Sequence, residues 1–156
     1  MLLANYDKHK ELGTMLLRIL FGLLILSHGY PKIVHGNMEY WTKLGSAMQF
    51  VGVTFGFGFW GFLASVTEFF GGLLLIVGLL VRPTSILLTI NMIVAVALKL
   101  GSGGGLSGAE APFVYLAVFL PLIFLGSGAY SLDGYLASVR NNNEKRFDAH
   151  LSPNKT

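Results

Sequence analysis

The residue with the most chemistry in this chain is Glu68. It stands inside Trp60-Gly-Phe-Leu-Ala-Ser-Val-Thr-Glu68-Phe-Phe-Gly-Gly-Leu-Leu-Leu-Ile-Val-Gly-Leu-Leu80, an apolar run long enough to cross a bilayer. Inserting a lone ionisable group at that depth costs about 2.5–3.5 kcal/mol. Such a group faces a partner, a cavity or a ligand. Two basic side chains, His28 and Lys32, occupy an earlier apolar run centred on Ile19-Leu-Phe-Gly-Leu-Leu-Ile-Leu26. At about 100° per residue His28 and Lys32 lie about 40° apart, and Arg18 lies within about 80° of His28. An acid and bases converging in one half of a membrane are suited to proton exchange and to hydrogen-bonding a polar ligand.

These groups need rods to carry them. Of the 156 residues, 53% are hydrophobic and 12% charged, about half the charge fraction of a soluble domain. Mean hydropathy is +0.63. The composition and its clustering predict a polytopic, all-α membrane protein of one domain. The net charge of +3 matches basic loops beside a membrane, and without a block of like charge no nucleic-acid partner is expected. The absence of cysteine excludes disulfides, thiol redox motifs, thiolate metal sites and covalent c-type haem attachment.

Four spans are expected, at about residues 13–34, 59–80, 84–100 and 112–132, since about 20 helical residues cross the hydrocarbon core. Residues 1–12 read as the start of a helix or an interfacial segment. The first run is too long for a cleaved signal peptide and no small-x-small site follows it. In residues 35–58, Trp41, Leu44, Met48 and Val51 recur at helical spacing, predicting a short amphipathic helix on the membrane surface. Residues 101–111 read as a flexible glycine-rich loop, and 134–156 as a polar tail, helical only at its start and disordered over about its last ten residues. Pro121 is expected to kink the fourth span.

Four spans put both termini on one side. That side would carry seven Lys and Arg residues against three opposite, predicting cytoplasmic termini and a periplasmic first loop. With alternating directions, His28 lies about six residues below the outer end of its span and Glu68 about eight or nine below its own. At 1.5 Å per residue these depths agree within about 5 Å, so a His28–Glu68 pair is expected, with Lys32 one turn further out. Glu110 would sit at the outer rim, and Arg18 with Asp133 would form an ion pair near the inner end. Asn91 is placed to make an interhelical bond or to touch a ligand.

Each group also has a plain structural use. Polar residues in membrane bundles tie helices together, at about 0.6 kcal/mol apiece. Trp41, Trp60 and Tyr40 suit interface anchoring, and Gly71, Gly72 and Gly78 suit close helix packing. His28 is the one histidine inside a span, which argues against a two-histidine haem within one protomer, although a symmetric dimer would escape that limit. No metal is expected. Gly101-Ser-Gly-Gly-Gly has no following lysine, so it is no phosphate loop.

Leu17-Arg18-Ile-Leu-Phe-Gly22 with Ser27-His28-Gly29-Tyr30-Pro31-Lys32 resembles the first span of DoxX proteins. Glu68-Phe-Phe-Gly-Gly-Leu-Leu-Leu-Ile-Val-Gly78-Leu-Leu-Val-Arg82-Pro83 resembles their second span and its turn. Glu110 and Gly126-Ser-Gly-Ala-Tyr-Ser131-Leu132-Asp133 resemble their ending, so the likeness covers roughly residues 13–135. The resemblance implies a four-helix bundle in the bacterial inner membrane. The family takes its name from a subunit of a thiosulfate:quinone oxidoreductase, and many members have no established activity.

Two classes of function follow as expectations. In the first, a quinone enters between the first two spans, His28 and Lys32 bond its oxygens, and Glu68 moves the proton. With no cysteine and no haem or metal motif in this chain, electrons would come through a second subunit or a bound cofactor. In the second, the chain is a non-catalytic membrane subunit or scaffold whose surface helix docks a partner. A small-solute transporter is a third possibility, and four spans per chain would then require a homo-oligomer.

Overall fold

The computed structural model describes residues 2–151, with side chains for residues 8–145. Among them there is no strand. Helix α1 (Leu2–Val34) is followed by α2 (Met38–Gly45), a 3-10 turn (Ser46–Val51), α3 (Phe57–Val77), α4 (Val81–Gly101), α5 (Gly105–Leu125) and α6 (Leu132–Leu151). Four of these are long and apolar enough to span a membrane: Lys8–Val34 of α1, then α3, α4 and α5. Their outward residues are apolar, among them Leu16, Leu20 and Leu23 on α1, Ile86 and Ile93 on α4, and Phe124 on α5. A bundle that is apolar outside as well as inside is made for lipid.

The four helices form a ring in the order α1, α3, α4, α5. The α1–α3 and α4–α5 pairs pack most extensively, and α1 touches α5 only sparsely. Ile25, Leu75, Leu88, Met92, Tyr115 and Phe119 meet in the centre. The amphipathic helix read from Trp41, Leu44 and Met48 is present as α2 and the 3-10 turn. Asn37 starts it, its side chain accepting from the Tyr40 N–H at 2.8 Å. Together they roof the end of the bundle where α1 stops and α3 begins.

At the opposite end, the floor, Gly78 closes α3 in the left-handed conformation (φ 77°), with Leu79 N–H bonded to the Leu74 carbonyl at 3.0 Å. The second span therefore ends at Val77, short of the expected 80, and the third begins at Val81. Leu80 is left-handed too (φ 52°), which is unusual for a residue with a Cβ. The Asp133 carboxylate holds it there by accepting from the Leu80 and Val81 N–H groups at 3.1 and 3.3 Å.

Three further boundaries depart from expectation. The glycine-rich stretch is mostly helix: α5 starts at Gly105, and only residues 102–104 turn. Glycine is tolerated in membrane helices, so composition misleads there. The fourth span accordingly runs Gly105–Leu125 rather than 112–132. The tail is helical through Leu151, and the part of the expected disorder covering residues 152–156 lies outside the described residues.

Candidate functional site

Lys32 is in the last turn of α1, where a cation is favoured by the helix dipole. Its backbone carbonyl accepts from Trp41 Nε1 at 3.0 Å, which fixes α2 over the end of α1. Trp41 in turn meets the Phe62 ring edge-on at 4.9 Å. Trp41 is therefore a brace inside the roof rather than only an interface anchor.

From this position Lys32 Nζ donates to both oxygens of Glu68, at 2.7 and 2.6 Å. Asn91 Nδ2 donates to Glu68 Oε1 at 3.1 Å. Glu68 is 5% exposed, so its charge is balanced inside the protein and not by solvent. Glu68, Lys32 and Asn91, all candidates from sequence, are thus one cluster drawn from α3, α1 and α4.

The expected His28–Glu68 pair is corrected. The depth was right: a Cβ on Gly29 would lie 2.8 Å from the Glu68 backbone carbon, so His28 and Glu68 are level. The direction was not. The His28 ring turns to the α1–α5 side, with Nδ1 2.9 Å from the Leu24 carbonyl oxygen and 3.3 Å from the Tyr115 hydroxyl. Lysine, one turn further along, has a stem long enough to come back about 5 Å to the carboxylate.

Arg18 and Asp133 do not form the expected ion pair. Arg18, 1% exposed, donates to the carbonyls of Ser127 and, at 2.8 Å, Tyr130. Its guanidinium lies against Gly78, where a Cβ would come within 2.5 Å of Cζ. The Asp133 carboxylate is occupied with capping α4. Both residues tie the floor together through backbone groups. Glu110 is also separate from the Glu68 cluster: it is exposed on α5 beside a shallow groove with Leu106 and Phe113.

The Glu68 cluster forms the polar end of a cavity of about 230 Å³. Leu44, Ala47, Met48 and Trp60 cover it from the roof side. Ala64, Thr67 and Ala95 line it with small side chains. Leu63, Leu87 and Ile90 stand at its flank and are exposed on the lipid-facing side of α3 and α4. The cavity is therefore between the second and third spans, not between the first and second. The α1–α3 seam is closed by glycines: Cβ atoms on Gly22 and Gly72 would come within 2.9 and 2.8 Å of the facing helix. Backbones that close leave no room for a ring.

Sequence reasoning missed Tyr115, 8% exposed. The available signal was that it is the one polar side chain between Ala111 and Leu125. It also missed Trp60 and Met48 as cavity residues, because nothing in their spacing says where the roof lands.

The sequence profile of the DoxX family matches residues 13–99. A Bacillus subtilis protein named "Putative oxidoreductase CatD" is 24% identical over 138 residues, covering 87% of this chain and 96% of its own length. A Haemophilus influenzae protein described only as uncharacterized is 28% identical over 142 residues, covering 83% of this chain and 94% of its own. No solved structure matches the chain significantly.

Proposed function

We propose, from the premise that this chain belongs to the DoxX family, that it is the quinone-binding membrane component of an oxidoreductase. The observation that carries the reading is the cavity: apolar walls open toward lipid, with one polar end made by Lys32, Glu68 and Asn91. A ligand that fits must be lipid-soluble and bear polar atoms at one end. The relative named as an oxidoreductase supports the choice of redox chemistry.

Size and donor set agree with a quinone headgroup. A cavity of about 150 Å³ holds a benzene ring, so about 230 Å³ suits one substituted ring. Lys32 Nζ keeps one N–H beyond the two given to Glu68, and Asn91 keeps one N–H beyond the one it gives. Either can donate to a carbonyl. Asn91 Oδ1, which has no donor among the described residues, can accept from a ring hydroxyl. A quinone bound there would supply the exchange of two electrons and two protons. Glu68, bonded to Lys32 and Asn91, would take up a proton when the ligand releases one. Lys32 and Asn91 orient the polar edge, and the roof excludes water. Electrons would reach the site through a partner subunit, the chain itself having no cysteine. The excess of Lys and Arg beside the termini supports cytoplasmic termini in a bacterial inner membrane, with the roof outside.

Trp60 in the cavity wall supplies the assay, since a bound quinone quenches its fluorescence. Ala95→Leu fills the cavity without touching the polar cluster. It should weaken binding of a short-chain ubiquinone by about tenfold or more, roughly 1.4 kcal/mol. Glu110→Gln should bind as wild type does. If the cluster served only to tie helices together, Ala95→Leu and wild type would bind alike, and the site assignment would be lost.

A further inference from the structure

Helix α6 has no part in the cavity and little in the bundle. It runs for 20 residues, and among the described residues it takes no substantial part in helix–helix packing. Its start is nevertheless held firmly. Asp133 N–H donates to the Gly78 carbonyl at 3.1 Å, while the Asp133 carboxylate takes the Leu80 and Val81 N–H groups. Ser131 Oγ accepts from Gly134 N–H at 3.0 Å, capping the first turn. The helix therefore leaves the bundle at the floor, beside the α3–α4 turn.

The first two turns of α6 carry an apolar face with no other helix packed on it. At about 100° per residue, Leu132, Tyr135, Leu136 and Val139 fall within an arc of about 100°. All four are exposed, Tyr135 to 63% and Leu136 to 51%. Asn141 lies on the opposite side, and Ser138 falls well outside the arc. Arg140 borders the arc, its side chain 80% exposed and only loosely paired with Glu144 at 3.8 Å. Beyond Arg140 the chain turns polar, with Asn141, Asn142 and Asn143 in succession. An apolar strip edged by a base and bearing a tyrosine suits a helix lying in a membrane–water interface.

We propose that the first two turns of α6 lie in the lipid interface at the floor, with this face at the boundary of headgroups and acyl chains. Two observations favour lipid over protein. The strip continues the lipid-facing exterior of the bundle, since Val77, Leu80, Phe124 and Leu125 at the floor are exposed as well. The strip is also short. Residues 132–139 make about one heptad, whereas a coiled coil with a second copy needs about three or four. Arg140 lays its stem along the edge of the apolar face and keeps its guanidinium among the headgroups. Docked in this way, α6 steadies residues 126–131, the loop whose Ser127 and Tyr130 carbonyls receive Arg18. No ligand in the cavity is required.

The chain has no cysteine, so single nitroxide labels test this without background. Leu136→Cys and Val139→Cys put a label on the apolar face, and Ser138→Cys and Asn141→Cys put one elsewhere on the helix. All four positions are exposed, so no variant loses core packing. Each full-length variant is reconstituted in vesicles of phosphatidylethanolamine and phosphatidylglycerol. Power-saturation electron paramagnetic resonance then compares collisions with oxygen, which concentrates among acyl chains, and with a water-soluble nickel chelate. The oxygen-to-nickel ratio should be several-fold higher at 136 and 139 than at 138 and 141. Ratios alike on both faces, or higher on the polar one, would overturn the proposal. Low collision rates with both reagents at 136 and 139 would also overturn it, because a second copy or another protein would then cover the face.

Discussion

Lys32→Met is expected to destabilise the protein by about 3 kcal/mol or more, because it leaves the Glu68 charge buried with only Asn91 to answer it. Glu68→Gln is expected to cost less. Lys32 has a 19% exposed side chain against 6% for Glu68, so an unpaired ammonium can swing toward the bundle edge where an unpaired carboxylate cannot. The double change Lys32→Met with Glu68→Leu should recover most of the loss, since it removes both charges together. Magnitude separates this account from a simpler one. If Lys32–Glu68 were another interhelical hydrogen bond, each single change would cost about 0.6 kcal/mol and the double change about the same, since one bond is lost in every case. Thermal unfolding in detergent, followed by loss of the monodisperse peak across wild type, Lys32→Met, Glu68→Leu and the double change, measures the coupling. A Lys32→Met protein within about 0.5 kcal/mol of wild type would show the pair to be of little energetic account.

The second large effect concerns the roof. Gly45 on α2 and Gly61 on α3 bring two backbones into contact. A Cβ on Gly61 would lie 2.7 Å from the Trp41 carbonyl carbon and closer still to its oxygen. A Cβ on Gly45 would lie 2.6 Å from Gly61 N. Backbone cannot yield as a flexible side chain does, so Gly61→Ala must lift the roof from α3. The expected cost is about 1–3 kcal/mol of local packing. The functional consequence should be larger in proportion, because Leu44, Ala47 and Met48 leave the cavity with the roof. Short-chain ubiquinone affinity should fall by about tenfold or more while the helix content is unchanged. Gly108→Ala is the control, since nothing lies within 4 Å of a Cβ there. Equal quinone affinity in Gly61→Ala and Gly108→Ala would separate the roof from binding.

The sequence made the membrane architecture legible because hydropathy and length report directly on a bilayer. Depth along a rod was legible as well, since rise per residue is fixed: Glu68 was correctly levelled with His28. Direction around the rod was not. Which of His28 and Lys32 meets Glu68 depends on the rotation of α1 against α3, and that is set by backbone contact at Gly22, Gly29 and Gly72. The same contact closes the seam in which a ligand was expected and leaves the space between α3 and α4. Asp133 was misread for a related reason. Its charge suggested an ion pair, but two free N–H groups at the start of α4, beside a strained Leu80, are nearer and better aligned. The amphipathic spacing of Trp41, Leu44 and Met48 was readable, while its seat over the cavity is tertiary.

The central claim is that a lipid-soluble quinone headgroup occupies the space between α3 and α4. Photolabelling the purified protein with an azidoquinone, followed by peptide mapping, tests this most directly. The account predicts label on the segments bearing Leu63, Leu87 and Ile90, displaced by excess short-chain ubiquinone and diminished in Ala95→Leu. Label confined to α1 or α5, or label that excess quinone does not displace, would contradict it.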